Sequence, residues 1–301
     1  MKKAFKWIGI VLGGLIGLVL LAAVSLYFIG RASVSKVYDI PPSGIVLPAD
    51  EASLERGRHI VETSCSGCHA ADLSGISPFF SIDGIASMDS VNLTAGEGGI
   101  GSTYTDEDYV RAIRHGVSKD GTPNFMPPVP YFQYMSDEDL GAVIAYIRSV
   151  PPVDHITNPF RAEPMGYILF AAGMFGDMPA EVVSHANNVS APELGVTVEY
   201  GLYRLRISGC QDCHGLELAG GPFPDPSIKF TVPNLTPGGE LGGWTEEDFI
   251  QTIRTGITPD GRGLNTNMMP LDEANRLTDD ELRAIFMYLQ SLPALEQASG
   301  Q

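Results

Sequence analysis

Basic residues are scarce in this chain of 301 residues: 19 Lys and Arg stand against 36 Asp and Glu, for a formal net charge of −17. This acidity excludes a nucleic-acid-binding protein, because such a protein needs positive charge to neutralise phosphates. Charged residues amount to only 18% and apolar residues to 44%, which excludes a disordered chain and supplies material for folded cores. At about 150 residues per domain, the length predicts two domains.

A regular alternation of apolar and polar residues, the pattern of a β-strand, is missing over any useful length. Helix signals are frequent instead: a hydroxyl residue before acidic residues predicts a helix start, and glycine or proline predicts an end. The chain is therefore predicted to be all-α, with long loops built from its 34 Gly and 22 Pro. The predicted starts are Thr105, Ser136, Thr245 and Thr278, and the predicted ends are Gly116, Pro151, Gly256 and Pro293.

Charge is completely absent from residues 7–29. A helix of this length spans about 34 Å, enough for the ~30 Å hydrocarbon core of a bilayer. Because Lys2, Lys3 and Lys6 precede it, we expect the N-terminus in the cytoplasm and everything after residue 30 outside. A cleaved signal peptide is the alternative, although its apolar region is usually only about 7–15 residues long. The favoured prediction is a transmembrane anchor at 1–30, followed by a proline-containing spacer at 31–49.

Two parts of the chain resemble each other. The segment ERGRHIVETSCSGCH at 55–69 matches EYGLYRLRISGCQDCH at 199–214, and an Asn-Leu-Thr tripeptide, two helix starts and a Met-Pro dipeptide accompany each in the same order. Such a repeat predicts two copies of one module. The connector between them includes an apolar run, Met165–Phe175, which is too short to span a bilayer and is predicted to pack across or between the modules. The predicted parts are the first module at 50–152, the connector at 153–194 and the second module at 195–297.

All four cysteines lie in two C-x-x-C-H motifs, one in each module. This is the attachment motif of c-type haem: the two thiols bond covalently to the haem vinyl groups, and the histidine binds the iron. A redox dithiol would be expected near a βαβ pattern, which is absent, and a zinc site would pool both cysteine pairs in one cage. The sequence therefore predicts two covalent haem c groups. The attachment residues are Cys65, Cys68, Cys210 and Cys213, and the proximal iron ligands are His69 and His214.

A second axial ligand for each iron is expected from methionine, because a thioether raises the haem potential and leaves no open coordination position. Met126 and Met269 are the candidates, since each precedes a proline in the loop between corresponding helices of its module. The alternatives are Met268 in the second module and Met135 or Met88 in the first.

Other residues that could contact a haem are assigned less specific roles. Arg114 and Arg254 occupy matching positions in the repeat, and either facing haem propionates or solvation on a helix would explain them equally well. The remaining histidines are expected at the surface or in packing contacts rather than on iron. They are His59, His115, His155 and His185.

With these motifs the chain resembles the cytochrome c family. The stretches VNLT, YTDEDYVRAIRHGVSKDG and FMPP, and in the second module NLTPGGELGGWTEEDFIQTIRTGITPDG and MMP, are similar to haem modules of the membrane cytochrome c subunits that serve periplasmic alcohol, aldehyde and gluconate dehydrogenases. The resemblance covers roughly residues 50–295. It implies two tandem class I-like cytochrome c domains on the periplasmic side of the inner membrane. It also implies redox partner proteins such as dehydrogenase or oxidase subunits. The acidity of the chain in turn suits a partner with a basic docking face, such as a basic soluble cytochrome.

The predicted function is one-electron transfer from a dehydrogenase or quinol donor to an acceptor in a respiratory chain. With both irons six-coordinate, the chain would be an electron-transfer subunit and would need no catalytic residue of its own. The alternative is a two-haem redox enzyme of the peroxidase or thiosulfate-oxidising type, which requires one iron with a displaceable or missing ligand. The matching Met-Pro loops favour the electron carrier.

Overall fold

In a computed structural model the described residues are 2–125, 129–223 and 228–299. They form a mostly helical chain with two small sheets, which confirms the predicted class. The helices are α1 (Lys2–Val34), α2 (Glu51–Ser64), α3 (Ser66–His69), α4 (Asp106–His115), α5 (Val129–Phe132), α6 (Asp137–Ser149), α7 (Pro164–Ala171), α8 (Pro179–Val182), α9 (Val198–Ile207), α10 (Cys210–His214), α11 (Glu246–Thr255), α12 (Leu271–Ala274) and α13 (Asp279–Ser291). The strands are β1 (Phe80–Ile82), β2 (Ala86–Met88), β3 (Arg161–Ala162), β4 (Gly221–Pro222) and β5 (Thr231–Val232).

The helix boundaries follow the predicted signals in both modules. The Thr105 hydroxyl accepts a hydrogen bond from the Asp108 backbone N–H, and the Asp108 carboxylate accepts one from the Thr105 backbone, so α4 begins with a complete capping box. The helix closes at Gly116, whose φ of 66° lies in the left-handed region that favours glycine. In α11, Thr245 and Gly256 repeat both features. The N-caps of the final helices are Ser136 in α6 and Thr278 in α13.

The first and last long helices of each module cross in backbone contact. A Cβ atom on Gly57 of α2 would lie 2.0 Å from the carbonyl oxygen of Ala142 on α6. In the second module, a Cβ atom on Gly201 of α9 would lie 1.9 Å from the carbonyl oxygen of Ala284 on α13. Only glycine permits so close an approach, because any side chain would collide with the facing backbone. Each close contact therefore fixes the position of the first long helix of a module relative to the last.

An Asn-Leu-Thr tripeptide fastens the chain that leaves the last helix of each module. In the first module the Asn92 amide donates to the carbonyl oxygen of Val153 at 2.8 Å, and its own side-chain oxygen accepts from the Thr94 backbone and hydroxyl. In the second module Asn234 donates to Leu295 in the same way, also at 2.8 Å. The repeated tripeptide therefore has a structural role. Its hydrogen bonds hold the chain that follows the last helix against the loop beside the C-x-x-C-H motif.

The connector packs on the first module and on α1. β3 pairs antiparallel with β2, with Ala162 opposite Ala86. The apolar run Met165–Phe175 forms α7 and the turn after it, and α7 lies against α1. Phe170 of α7 also contacts Phe125 of the first module, with ring centroids 4.8 Å apart. The expectation that this run packs across or between the modules is wrong, because α1 and the loop of Phe125 already provide it with apolar surfaces.

Among the described residues, α1 is the one helix long and apolar enough to cross a membrane. Its most apolar window has a mean hydropathy of 2.6, and none of that window is buried within the protein. A spanning helix and an N-terminal signal sequence share these properties.

Candidate haem sites

Each C-x-x-C-H motif lies on a short helix directly after the first long helix of its module. In the first module α2 ends at Ser64 and α3 begins at Ser66. In the second module α9 ends at Ile207, and Gly209, with a left-handed φ of 71°, redirects the chain into α10 at Cys210. Since residues three positions apart in a helical turn lie on one side, the two thiols of a motif are neighbours, with the histidine beside them.

Both candidate proximal histidines are oriented by a backbone carbonyl. His69 Nδ1 lies 2.8 Å from the Val91 carbonyl oxygen, and His214 Nδ1 lies 2.9 Å from that of Pro233. Such a contact favours a proton on Nδ1 and leaves the Nε2 lone pair free to bind a metal. Burial lowers the pKa of both imidazoles, which keeps them neutral and therefore able to act as ligands.

The placement of the cysteines fits covalent attachment in each module. Burial raises the pKa of the Cys65 and Cys210 thiols to about 12. Among the residues that the structure describes, no group of three or more His, Cys, Asp or Glu is placed to hold a metal ion. The two C-x-x-C-H motifs are described in full, and they do not form one zinc cage. Two thiols and one available imidazole in each module are the donor set that haem c requires.

The second module encloses a deep apolar cleft beside its motif. The space within it is about 1430 Å³, including its mouth to solvent, and His214 lies on its wall with Cys210 and Cys213. A mostly apolar cleft with a few polar groups on its wall is typical of a cofactor site. Most of the other lining residues are hydrophobic, among them Phe223, Phe230, Leu235, Trp244, Phe249 and Leu282.

Met269 lines the same cleft as His214, and so does Met268. The backbone amides of both donate to the carbonyl oxygen of Asn265, at 2.9 and 3.0 Å, so a single turn holds the two methionines side by side. Met269 also packs against the hydrophobic core of the module. Met269 remains our prediction for the distal ligand, and Met268 remains the alternative.

Met126, the predicted distal ligand of the first module, lies outside the described residues. The residue before it, Phe125, stacks on Phe160 with ring centroids 4.0 Å apart. Of the two alternatives in this module, Met135 is fully buried in the core and Met88 is 8% exposed on β2.

Arg114 and Arg254 fasten helices to each other, a role that neither expectation included. The Arg114 side chain is fully buried and lies 2.7 Å from Asp137, and it donates to the Met135 carbonyl oxygen. Arg254 lies 2.7 Å from Asp279 in the same way. Since the two aspartates occupy the first turns of α6 and α13, each arginine ties the end of one helix to the start of the final helix.

The remaining histidines make protein contacts, as expected. His115 and His185 face each other with their Nδ1 atoms 3.3 Å apart, and His155 contacts the Ser74 carbonyl oxygen at 2.9 Å. Burial is the main reason why the pKa of His115 falls to about 4. His59 belongs to the module interface described below.

The two candidate sites adjoin each other where the modules meet. Thr63 precedes Cys65 by two residues in the first module, yet it lines the cleft of the second. Gly67, inside the first motif, lies so close to α12 that a Cβ atom on it would be 2.6 Å from Oε1 of Glu273. Glu273 itself lines the second cleft. The first motif is therefore separated from the second cleft by little more than these side chains, an arrangement that the sequence analysis did not predict.

Buried charged residues join the modules close to both motifs. Arg56 of α2 binds the Asp139 carboxylate of α6 through two contacts of 2.9 and 2.8 Å. From the other module, the Tyr203 hydroxyl donates to the same carboxylate at 2.6 Å. The Asp139 carboxylate therefore makes contacts both within the first module and across the module interface.

Glu281 occupies the position in α13 that Asp139 occupies in α6. The fully buried Arg204 approaches it to 2.8 Å from its own module, and His59 of the first module approaches it to 2.7 Å. Burial by itself would raise the pKa of Glu281, but the hydrogen bond from His59 and the charge of Arg204 outweigh it and lower the pKa to about 2. The sequence signal for this network was the third acidic residue after each final N-cap, a position that by itself indicates only a helix start.

Fold and sites together define an all-α protein of two modules, each with a half-buried haem-attachment motif. The cytochrome c family model matches residues 54–151 and 204–293, which coincide with these modules. The chain belongs to the cytochrome c family, whose members bind haem c.

Several curated proteins are similar to the chain. The cytochrome c subunit of the quinone alcohol dehydrogenase from Gluconobacter oxydans is 30% identical over 84% of this chain and 57% of its own length. The fructose dehydrogenase cytochrome subunit from Gluconobacter japonicus is 28% identical over 84% of this chain and 55% of its own length. The chain thus spans little more than half of these subunits. A dihaem cytochrome c-type protein from Cereibacter sphaeroides is 28% identical over 77% of this chain and 83% of its own length.

Proposed function

We propose that this chain is an electron-transfer subunit that passes single electrons through two covalently bound haem c groups. The observation that supports this most is the duplicated site, in which each motif helix presents a histidine whose Nδ1 is held by a carbonyl oxygen. Relatives named as cytochrome subunits of alcohol and fructose dehydrogenases support a dehydrogenase as the electron donor.

The residues of each module have distinct tasks in this proposal. In the first module Cys65 and Cys68 would form the thioether bonds and His69 would bind the iron through Nε2, and the second motif would repeat this set. The bound haem supplies the one-electron couple. Met269, and Met126 in the other module, would complete the coordination and leave no position for a substrate. This is why we favour an electron carrier over a two-haem enzyme.

The contact between the modules supports electron transfer within the chain. Thr63 and Glu273 place the first motif against the wall of the second cleft. The network around Asp139 and Glu281 spans the same interface. Tyr203 of the second module binds Asp139 of the first at 2.6 Å, and His59 of the first module contacts Glu281 of the second at 2.7 Å. A change of module orientation would break these contacts and leave buried charges without these partners. We infer that the two haems keep a fixed, short separation, so that an electron moves between them without a diffusional encounter.

The membrane placement is part of the same proposal. α1 would cross the inner membrane with Lys2, Lys3 and Lys6 on the cytoplasmic side, and the haem modules would lie in the periplasm. The chain has an excess of 17 negative charges, which suits a redox partner with a basic docking face.

Haem content and ligation test the proposal in the purified full-length holoprotein. We expect two covalent haems per chain and a thioether-to-iron charge-transfer band for both. The variant Cys210→Ala/Cys213→Ala is expected to keep one haem, and so is its matched counterpart Cys65→Ala/Cys68→Ala. A wild-type protein with one haem, or with only one methionine-ligated haem, would contradict the electron-carrier proposal and favour the two-haem enzyme.

A further inference from the structure

The connector exposes an uncharged apolar segment to solvent. Residues 164–176 contain no charged side chain, whereas Glu163 and Asp177 flank them directly. Met165 and Met174 are 51% and 66% exposed within this segment. Long uncharged runs with exposed large side chains are unusual on a water-facing surface and indicate an interaction site.

α7 packs on the outer end of α1, and close backbone contact fixes its position there. A Cβ atom on Gly30 would lie 1.9 Å from the carbonyl oxygen of Tyr167, so the two helices touch at the residue that follows the uncharged run of α1. The rings of Tyr27 and Tyr167 meet edge to face, with centroids 5.6 Å apart, and Arg31 donates to the Tyr27 hydroxyl at 3.2 Å. Tyrosine and arginine at the end of an apolar helix are typical of the membrane–water interface.

The contact between α7 and α1 continues from Tyr27 towards the N-terminus of α1, into its uncharged run. One face of α1 is half-buried from residue 23 onwards, at Ala23, Leu26, Tyr27, Ser33 and Val34. This spacing of three and four residues is that of one helix face, and α7 is the element that packs on α1. Ala23 lies six residues before the end of the uncharged run, which is about 9 Å along the helix.

We propose that residues 164–176 form a second membrane contact, which enters the outer leaflet beside α1 and takes lipid acyl chains as its partner. This rests on the proposed membrane span of α1. Since α7 covers the last turns of the membrane-spanning run, its exposed side chains lie at the depth of the lipid around them. The charged neighbours Glu163 and Asp177 mark where the segment leaves the headgroup region.

This contact also orients the first module. Phe170 and Phe175 of the segment pack with Phe125 and Phe160, with Phe170 and Phe175 centroids 4.7 Å apart. Phe125 belongs to the first module, so the inserted segment would hold this module beside the membrane surface. The first module is therefore the membrane-proximal one of the pair.

Spin labels on the full-length holoprotein in phosphatidylethanolamine–phosphatidylglycerol vesicles test the inference. Labels are attached to Met165→Cys and Met174→Cys, and the collision rates with oxygen and with a water-soluble nickel complex are compared. Two reference sites are Val19→Cys, in the middle of α1, and Leu194→Cys, an exposed residue (72%) at the far end of the connector. Haem spectra of all four variants verify that the sites remain loaded.

We expect the oxygen-to-nickel ratio at residues 165 and 174 to exceed that at residue 194 several-fold and to approach that at residue 19. Ratios at 165 and 174 equal to that at 194, with a lipid-exposed label at 19, would overturn the second membrane contact and leave the anchor intact. A water-exposed label at 19 would overturn the anchor, and the inference with it.

Discussion

Replacement of Glu281 by glutamine is expected to destabilise the holoprotein by about 3 kcal/mol at pH 7. The carboxylate is 5% exposed, and its pKa of about 2 lies well below the ordinary value of 4.5. This difference corresponds to about 3 kcal/mol of folding free energy, since one pKa unit is worth about 1.4 kcal/mol. Loss of the carboxylate also leaves the fully buried Arg204 without its anion, which in other proteins costs about 3–5 kcal/mol.

The destabilisation is expected to shrink in acid. Because the pKa of Glu281 is lower in the folded than in the unfolded state, its contribution is complete above about pH 4.5 and is lost as the pH falls towards 2. At pH 3 the wild-type carboxylate contributes about 1.4 kcal/mol, so the gap between wild type and Glu281→Gln narrows to about that value. Urea unfolding at pH 7 and pH 3, followed by far-ultraviolet circular dichroism, measures both gaps.

Asp280→Asn is the matched control, since it removes the neighbouring charge from the same helix turn. Asp280 pairs with Arg283 at 2.8 Å, but its side chain is 73% exposed, and such surface pairs are worth at most about 1 kcal/mol. Equal losses of stability in the two variants would refute the assignment of a buried network at the interface. So would a loss in Glu281→Gln that stays constant between pH 7 and pH 3.

Three further predictions concern packing, ligation and docking. Gly201→Ala should lower the free energy of unfolding by about 1–3 kcal/mol or more and lower the Tm, because the new Cβ atom would lie 1.9 Å from a helix carbonyl oxygen. Gly263→Ala is the control and should be nearly neutral, because nothing lies within 4 Å of the new Cβ atom. Equal effects of the two variants would contradict the helix crossing. Met269→His should lower the reduction potential of one haem in a redox titration, because imidazole donates more strongly than a thioether. Met268→Leu should leave both potentials unchanged. A potential that changes in Met268→Leu but not in Met269→His would make Met268 the ligand. Electron transfer to a basic soluble cytochrome c should slow as ionic strength rises from 0.01 to 0.15 M, since the Debye length shrinks from about 30 to about 8 Å; a rate independent of salt would refute docking by charge.

Much of this architecture is local and could be predicted from the sequence. The capping box at Thr105 and the left-handed turn at Gly116 depend on residues within one or two helical turns, and the structure confirms both. The same is true of the C-x-x-C-H motifs, because the spacing of Cys65, Cys68 and His69 along one turn already defines which atoms lie together. Comparison of the two repeats located the modules, since each copy supports the assignment of the other.

The partners of long-range contacts could not be predicted in this way. Arg204, His59 and Glu281 are separated by up to 222 residues, and no local pattern indicates that they meet. Arg114 was expected to face a propionate or solvent, and its burial beside Asp137 depends on how two helices pack. Electrostatic pairing of this kind is decided by tertiary geometry, which has no sequence periodicity.

The sequence by itself therefore determined the all-α class, the two modules, the attachment motifs and the apolar N-terminal helix. Only the tertiary structure decided that the first motif lies against the second cleft, at Gly67 and Glu273, and that α7 packs on α1 instead of between the modules. The physical reason is that an apolar or charged surface has many partners of suitable chemistry along the chain. Which one it meets depends on shape: on close approaches such as that of Gly30 to Tyr167, which exist only once the whole chain has folded.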